Sequence, residues 1–484
     1  MRPLDVAVIV AYFAVVLAVG VAFRGRQRDA ADYFLGQHGL PWWAIMFSIV
    51  ATETSALTII SVPGIAARGD LTFLQLSFGY LVGRVGVAAF LLPGYFQGTQ
   101  ETAYERLGRR FGPAARRAAA GIFLVTRAMG EGVRLFATAI PLAVITGWDM
   151  RAGILAVAVV TIFYAWIGGL RSIVWVDVLQ LAVYLIGGIA TLVVATHMAG
   201  GWHAFDRAWE AGKLAVIDPR FSFTITYTLW GGLIGGALLS AASHGTDQLL
   251  VQRLLAARGL RDAKRALVGS GLFVIAQFAL FLLVGTSLWL AGADRPGLAS
   301  DAIYPTFVLE HLPPGLAGLV VAAILAAASV AAALNSLASA STYDFYVPLT
   351  GRRDPEHLLK VGRAMTLLWA AVLVVGAMLV KDRDTPVVVL ALSIASITYG
   401  GLLGSYVLGG LWPSARQRDV IIAILVGVAV MIPVVLGFPR RLLPGLAWPW
   451  YVPIGTAVTV MVGVLSSLVG RADGQTAGRA PATT

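Results

Sequence analysis

Residues 48–64 read SIVATETSALTIISVPG. The stretch lies inside an apolar run, about residues 41–67, that is long enough to cross a bilayer. Yet it carries Glu53 at its middle, hydroxyls at Thr52, Thr54, Ser55, Thr58 and Ser61, and the pair Pro63-Gly64 at its end. A carboxylate at the centre of a span costs about 2.5–3.5 kcal/mol on insertion scales, so it marks a functional candidate. The hydroxyls and the Pro-Gly pair predict an interrupted helix here, because irregular backbone at membrane depth survives only where it lines a cavity. Freed carbonyls beside a carboxylate form an oxygen-rich environment suited to a small cation. The plainer alternative is a buried glutamate hydrogen-bonded to a neighbouring helix.

The rest of the chain sets this stretch in a membrane protein. Of its 484 residues 58% are hydrophobic and 13% charged, about half the charge content of a soluble domain. Apolar runs of about 20 residues recur along it and read as about thirteen transmembrane helices. One transmembrane domain, residues 1–470, is expected, with a disordered cytoplasmic tail at 471–484. The chain has no cysteine, which excludes disulfides and thiolate metal sites. With an outer N-terminus, 22 Lys and Arg fall in inner loops, 11 in outer loops and 3 within spans. That bias predicts a cytoplasmic C-terminus in a plasma membrane and accounts for the net charge of +11 as a topology signal. No basic stretch interleaved with aromatics suggests nucleic acid, and nothing points to an obligate protein partner.

Other charges stand inside spans. Arg84 has no acidic neighbour in its own span and needs a partner from another helix, a water-filled cavity or an anionic ligand. Arg127, Glu131 and Arg134, at i, i+4 and i+7, share one helix face as a self-neutralising triad or as part of a substrate site. Asp177 reads as an inner-end charge beside Arg171, and Asp344 as an inner-end helix anchor. The run LWGGLIGGALLSAASHGTDQ, 229–248, also looks breakable, through Gly231, Gly232, Gly235, Gly236 and Gly245. Two interrupted helices, each opening a set of five spans, point to an inverted-repeat transporter of the LeuT type.

Four motifs, WIGGLRSIVWVDVLQ (166–180), TDQLLVQRLLAARGLRDAKRA (246–266), TAYERLGRRFG (102–112) and LAAASVAAALNSLASASTYDFY (325–346), resemble the sodium/solute symporter family, in that family's order along the chain. The resemblance covers about residues 4–411. It implies an all-α, LeuT-type 5+5 core at about 41–411 and symport of a small solute with sodium by alternating access. It implies a sodium site of backbone carbonyls at Ala51 and Thr54, with Leu325, Ala328 and Ser329 on the eighth core helix. Ala328 replaces a serine that many members carry, so one hydroxyl of two remains. Ala331 and Ala332 stand where some relatives hold a second ion, which is therefore not expected. Glu53 falls on an aspartate important for sodium coupling in the proline branch; it could compensate for the missing hydroxyl, or carry a proton and make H⁺ the coupling ion. Asp177 matches an aspartate on the sodium exit route.

The sugar branch's gating tyrosine and its amide fall on Ser243 and Ser240, and its lysine on Val274, which disfavours a hexose. The expected solute is a small organic anion or zwitterion, met by Arg84 with Arg127 or Arg134, whose planar donors suit a carboxylate, and by Ser55, Thr58 and Ser243. An enzyme is not expected, because the six histidines are scattered and mostly in loops. A channel or a transporter-like sensor are the other classes, the sensor lacking its usual cytoplasmic signalling domain.

Overall fold

The computed structural model describes residues 2–477 apart from Arg26, Ser55, Thr99 and the segments 327–329, 381–386 and 436–444. It is all-helical, with no β-strand among the described residues beyond a single bridge between Leu40 and Ala257. Among the described residues seven helices are long and apolar enough to cross a membrane, and an eighth if the bent pair at Glu53 is one span. Exposed Val10, Phe90, Val125, Leu272 and Leu379 spread over the outer helix faces, where lipid would meet them.

Helix α1, Pro3–Ala22, buries only Asp5, Tyr12, Val16 and Gly20, a stripe one residue wide. The Asp5 carboxylate accepts from the backbone N–H groups of Gly315, at 2.7 Å, and Gly318, at 3.0 Å. It thereby meets the positive N-terminal end of a helix across the bundle.

The first interrupted helix comprises α2, Trp42–Glu53, and α3, Ala56–Arg68, meeting at 63°. The break falls at Thr54 (φ −79°, ψ 89°), nine residues before Pro63. Thr52 and Thr54 turn their hydroxyls onto the Ser48 and Val50 carbonyls, at 2.7 and 2.8 Å, and so occupy acceptors in the last turn of α2. The Pro-Gly pair plays another part than the expected one. Pro63 sits inside α3. A Cβ on Gly64 would stand 2.4 Å from the Ser300 carbonyl, so this glycine permits close packing. Lys213, from the connection after α6, closes the far end of α3 by donating to the carbonyls of Ala67 and Gly69 at 2.9 and 2.8 Å.

Helix α4, Leu74–Gly86, runs on through a wider turn at Val87–Leu91. α5 is Pro113–Thr146 and α6 is Met150–Met198. α6 merges two expected spans, bent at Gly169 (φ 57°), where a Cβ would lie 2.4 Å from the Tyr33 carbonyl.

The second interrupted helix, expected over 222–244, starts later, because residues 222–228 are an irregular connection. Its halves are α7, Gly236–Gly245, and α8, Gln248–Leu255, and the break is at Thr246 (φ −135°, ψ −14°). Asp247 caps α8, its carboxylate accepting from the Leu249 N–H at 2.8 Å. The glycines before this break serve packing. A Cβ on Gly79 of α4 would stand 2.0 Å from the Gly232 carbonyl, and one on Gly83 2.2 Å from that of Ala237. The backbones of α4 and the second broken helix are therefore in direct contact.

The remaining helices are α9 (Leu260–Leu290), α10 (Leu316–Ala326), α11 (Ala331–Ala340), α12 (Pro355–Leu379), α13 (Val387–Leu411), α14 (Gln417–Val435) and α15 (Tyr451–Ala477). The last runs past Arg471, where the tail was expected to begin.

Candidate functional site

A cavity of about 200 Å³ lies where the two broken helices meet α4, α5, α9 and α13. Its wall is mostly apolar, with Phe73, Tyr80, Phe278 and Trp448 among its residues, and it includes a small set of polar groups. That combination is typical of a small-molecule site.

Of the residues expected to meet a solute, Thr58, Arg127, Arg134 and Ser243 line the cavity. Ser55 lies outside the described residues. Arg84 is fully buried and does not line the cavity. Its guanidinium donates to Glu53 and, at 2.6 Å, to the Ser270 hydroxyl of α9. Glu53 lines the cavity in front of it, its side chain 22% exposed. The partner that Arg84 needed is therefore Glu53 on α2. The other Glu53 oxygen lies 3.2 Å from His244 Nε2, the ring being completely buried two residues before the second break. Reading the histidines as loop residues missed this one; its place in the glycine-rich broken helix was the available signal.

The triad on α5 is joined by partners that its spacing does not show. Glu131 lies 3.2 Å from Arg127 and 3.3 Å from Arg134, as the shared face predicts. Arg127 also pairs with Asp247 at the start of α8 and donates to the Tyr399 hydroxyl of α13 at 3.1 Å. That hydroxyl in turn donates to Asp247 at 2.9 Å. Arg127 thus ties α5, α8 and α13 together through its two terminal nitrogens. Arg134, just under one turn from Glu131, has no other ionic partner among the described residues, and its side chain is 20% exposed.

Asp177 is part of a separate buried cluster. It accepts from Ser48 at 2.5 Å and from Arg253 at 3.1 Å, while Arg253 Nε donates to Ser48 at 2.8 Å. Its partner is therefore Arg253, within the TDQLLVQR motif, and not the nearby Arg171. The cluster ties α6 and α8 to the middle of α2. Asp344 accepts from Arg116 at 2.6 Å and from Thr102 at 2.7 Å, in keeping with an anchor.

For a cation, the end of α2 supplies the chemistry. Termination at Glu53 leaves the carbonyls beyond Val50, those of Ala51, Thr52 and Glu53, without the donors that a continuing straight helix would supply. Ala51, Leu325, Ala331 and Ala332 are all buried in one extended apolar cluster, and α10 packs against α3, the second half of the broken helix. Ala328 and Ser329 lie outside the described residues. The side chain of Thr54 is 1% exposed. Neutral oxygens in a buried setting suit a hard monovalent ion.

Comparison with known proteins fits this arrangement. A family model described as the sodium:solute symporter family matches residues 33–427. The chain is 28% identical over 432 residues to the human sodium/iodide cotransporter, covering 87% of this chain and 67% of that protein. It is 26% identical over 450 residues to human sodium-coupled monocarboxylate transporter 2, covering 90% and 72%. Among solved structures it is similar to a Na⁺-coupled sialic acid symporter in a substrate-bound, outward-open state. There the TM-score is 0.87 at 26% identity, over 97% of this chain and 98% of the other.

Proposed function

The chain belongs to the sodium:solute symporter family, and on that premise we propose that it couples sodium entry to uptake of a small organic acid or zwitterion. Sodium coupling, a LeuT-type fold and a multi-pass membrane setting come with the family. The solute class is our reading.

Arg134 carries it. This guanidinium lines the cavity and pairs only with Glu131 among the described residues, leaving N–H groups of its planar fork for a carboxylate. Arg127, held by Glu131, Asp247 and Tyr399, supplies positive potential and shape from behind. Glu53, facing the same space, offers an acceptor for an ammonium, which is why a zwitterion is retained. Ser240, Ser243 and Val274 also line the cavity, so the positions of a sugar site are occupied by short side chains. The named substrates of the relatives, iodide, monocarboxylates and sialic acid, are anions or acids.

In the mechanism, sodium binds the carbonyls freed by the break and fixes the end of α2; the acid then enters beside Arg134. Only unequal affinity of ion and solute for the outward and inward states drives the cycle. A coupling of about 1–3 kcal/mol between the sites is the usual scale. We place the N-terminus outside and the C-terminus in the cytoplasm, on the loop charges, and read the chain as a carrier and not an enzyme.

The test is a thermal-stability screen of purified protein against small acids and their neutral amides, each with and without sodium. The reading expects acids to stabilise more than amides, and sodium to enhance the effect. Stabilisation by amides or hexoses with no preference for acids refutes the solute class.

A further inference from the structure

One residue of the cavity wall comes from a part of the chain that supplies no other. Trp448 precedes α15, whereas every other lining residue among those described lies within residues 52–402. It also stands beyond the family-matched residues 33–427. Trp448 is 7% exposed, so the indole is turned into the protein and not toward lipid.

Contacts on both sides of it in the chain fix the backbone that carries it. The Ala447 N–H donates to the Phe223 carbonyl at 2.7 Å, and the Trp450 indole N–H donates to the Ser222 carbonyl at 3.0 Å. The rings of Phe221 and Phe223 pack on that of Trp450, with centroids 5.7 and 4.8 Å away. The turn Trp448–Trp450 also meets bare backbone, since a Cβ on Gly235 would stand 2.4 Å from the Pro449 carbonyl. A wall residue locked by its supports in this way holds its place before a solute arrives.

The stretch that anchors the turn leads to Tyr227, which also lines the cavity and whose hydroxyl the Trp448 side chain reaches. Tyr227 stands edge-on to Phe73 at 5.2 Å, and Phe73 edge-on to Phe278 at 5.3 Å. Trp448 thus completes an aromatic wall built from four separate parts of the chain. Rings of this kind give large contact area with few torsions to adjust, so the wall sets a limit on its guest instead of yielding to it.

We propose that Trp448 is a specificity-determining residue of the solute site, limiting the size of the acid's organic part. The inference rests on the acid reading above and deepens it: compact apolar bodies fit against the indole, and longer ones meet it. One methylene gained or lost in an apolar pocket changes preference by about tenfold or more, so removing the indole should change the ranking of acids that differ only in length.

The experiment measures thermal stabilisation of the purified full chain, in sodium, during titration with acetate, butyrate and hexanoate. In Trp448→Ala the ratio of the hexanoate midpoint to the acetate midpoint should fall about tenfold or more below that of the wild type. Trp448→Phe should move it the same way by less. Because the chain has no cysteine, Trp448→Cys offers a second readout, its rate of reaction with a polar maleimide. An acid of the series that stabilises the protein should slow that reaction severalfold, while a cysteine at the exposed Arg353 keeps its rate. Should Trp448→Ala not fold, Trp448→Phe and the labelling decide. A lower melting temperature with an unchanged ratio of midpoints makes Trp448 a packing residue and overturns the proposal, as does labelling that a stabilising acid leaves untouched. A wild-type protein stabilised by none of the three acids is a different failure, which removes the acid reading beneath the inference.

Discussion

Substituting the two members of the Arg84–Glu53 pair should cost unequal amounts, and the structure sets the order. Arg84 is fully buried, and among the described residues Glu53 and Ser270 receive its donors. Glu53→Gln strips it of its carboxylate in a place water does not reach, and breaking a buried pair from one side costs about 3–5 kcal/mol. Arg84→Gln leaves the opposite charge, but Glu53 is 22% exposed and faces the cavity. Water can hydrate it there, so the loss should lie near or below about 3 kcal/mol. The double variant leaves no charge in this contact and should lose less than either single variant. The implied coupling is about 3 kcal/mol or more, the upper end for residues in contact. Reversible denaturant titration of purified protein in mixed micelles measures all three. A double variant whose loss equals the sum of the singles would refute the reasoning, as would Arg84→Gln costing more than Glu53→Gln. Uptake separates a second issue: full acid transport by the stable double variant removes Arg84 from solute recognition, whereas stability regained without transport keeps it there.

Four further outcomes are expected. Ser329→Ala should raise the sodium concentration for half-maximal uptake with protein abundance unchanged, because Ala328 provides no hydroxyl; retained sodium dependence would sink the alignment of that segment. Tyr399→Phe removes one donor to Asp247 and one acceptor for Arg127, so it should cost about 1–2 kcal/mol of stability, read by the same titration. Arg134→Lys keeps the charge without the fork and should raise the KM for an acid well above any change in kcat; an unchanged KM would move the acid elsewhere. Since the chain has no cysteine, single cysteines at the exposed Arg353 and Glu210 should label only from the cytoplasm and only from outside, respectively, and the reverse pattern would invert the proposed topology.

The class of molecule and the two breaks were legible in sequence because both follow from the cost of polar groups in hydrocarbon. Glu53 and the glycine-rich 229–248 run stand out against apolar surroundings, whatever the packing. The causes of the breaks were less legible. Pro63-Gly64 looked like the interruption, yet threonine hydroxyls end α2 nine residues earlier and the pair serves contact with Ser300. The glycines at 231–236 looked like a hinge and proved to be a packing surface for α4. Partners across helices were not legible at all. A lone Arg84 announces that it needs a counter-charge, but only the rotation of α2 against α4 selects Glu53. The same holds for Arg127 with Asp247 and for Asp177 with Arg253, pairs separated by 120 and 76 residues. Helical spacing predicted the Arg127–Glu131–Arg134 contacts because they need no tertiary information.

The central claim is that a sodium gradient drives an acid through the cavity beside Arg134. Its most direct test is accumulation in proteoliposomes under an inward sodium gradient, for acids picked out by the stability screen and for their amides. The account predicts that at least one acid concentrates above its outside level only while the sodium gradient lasts. Its amide should not, and Arg134→Gln should abolish the difference. Equal accumulation with choline in place of sodium, or of the amide in place of the acid, would contradict it.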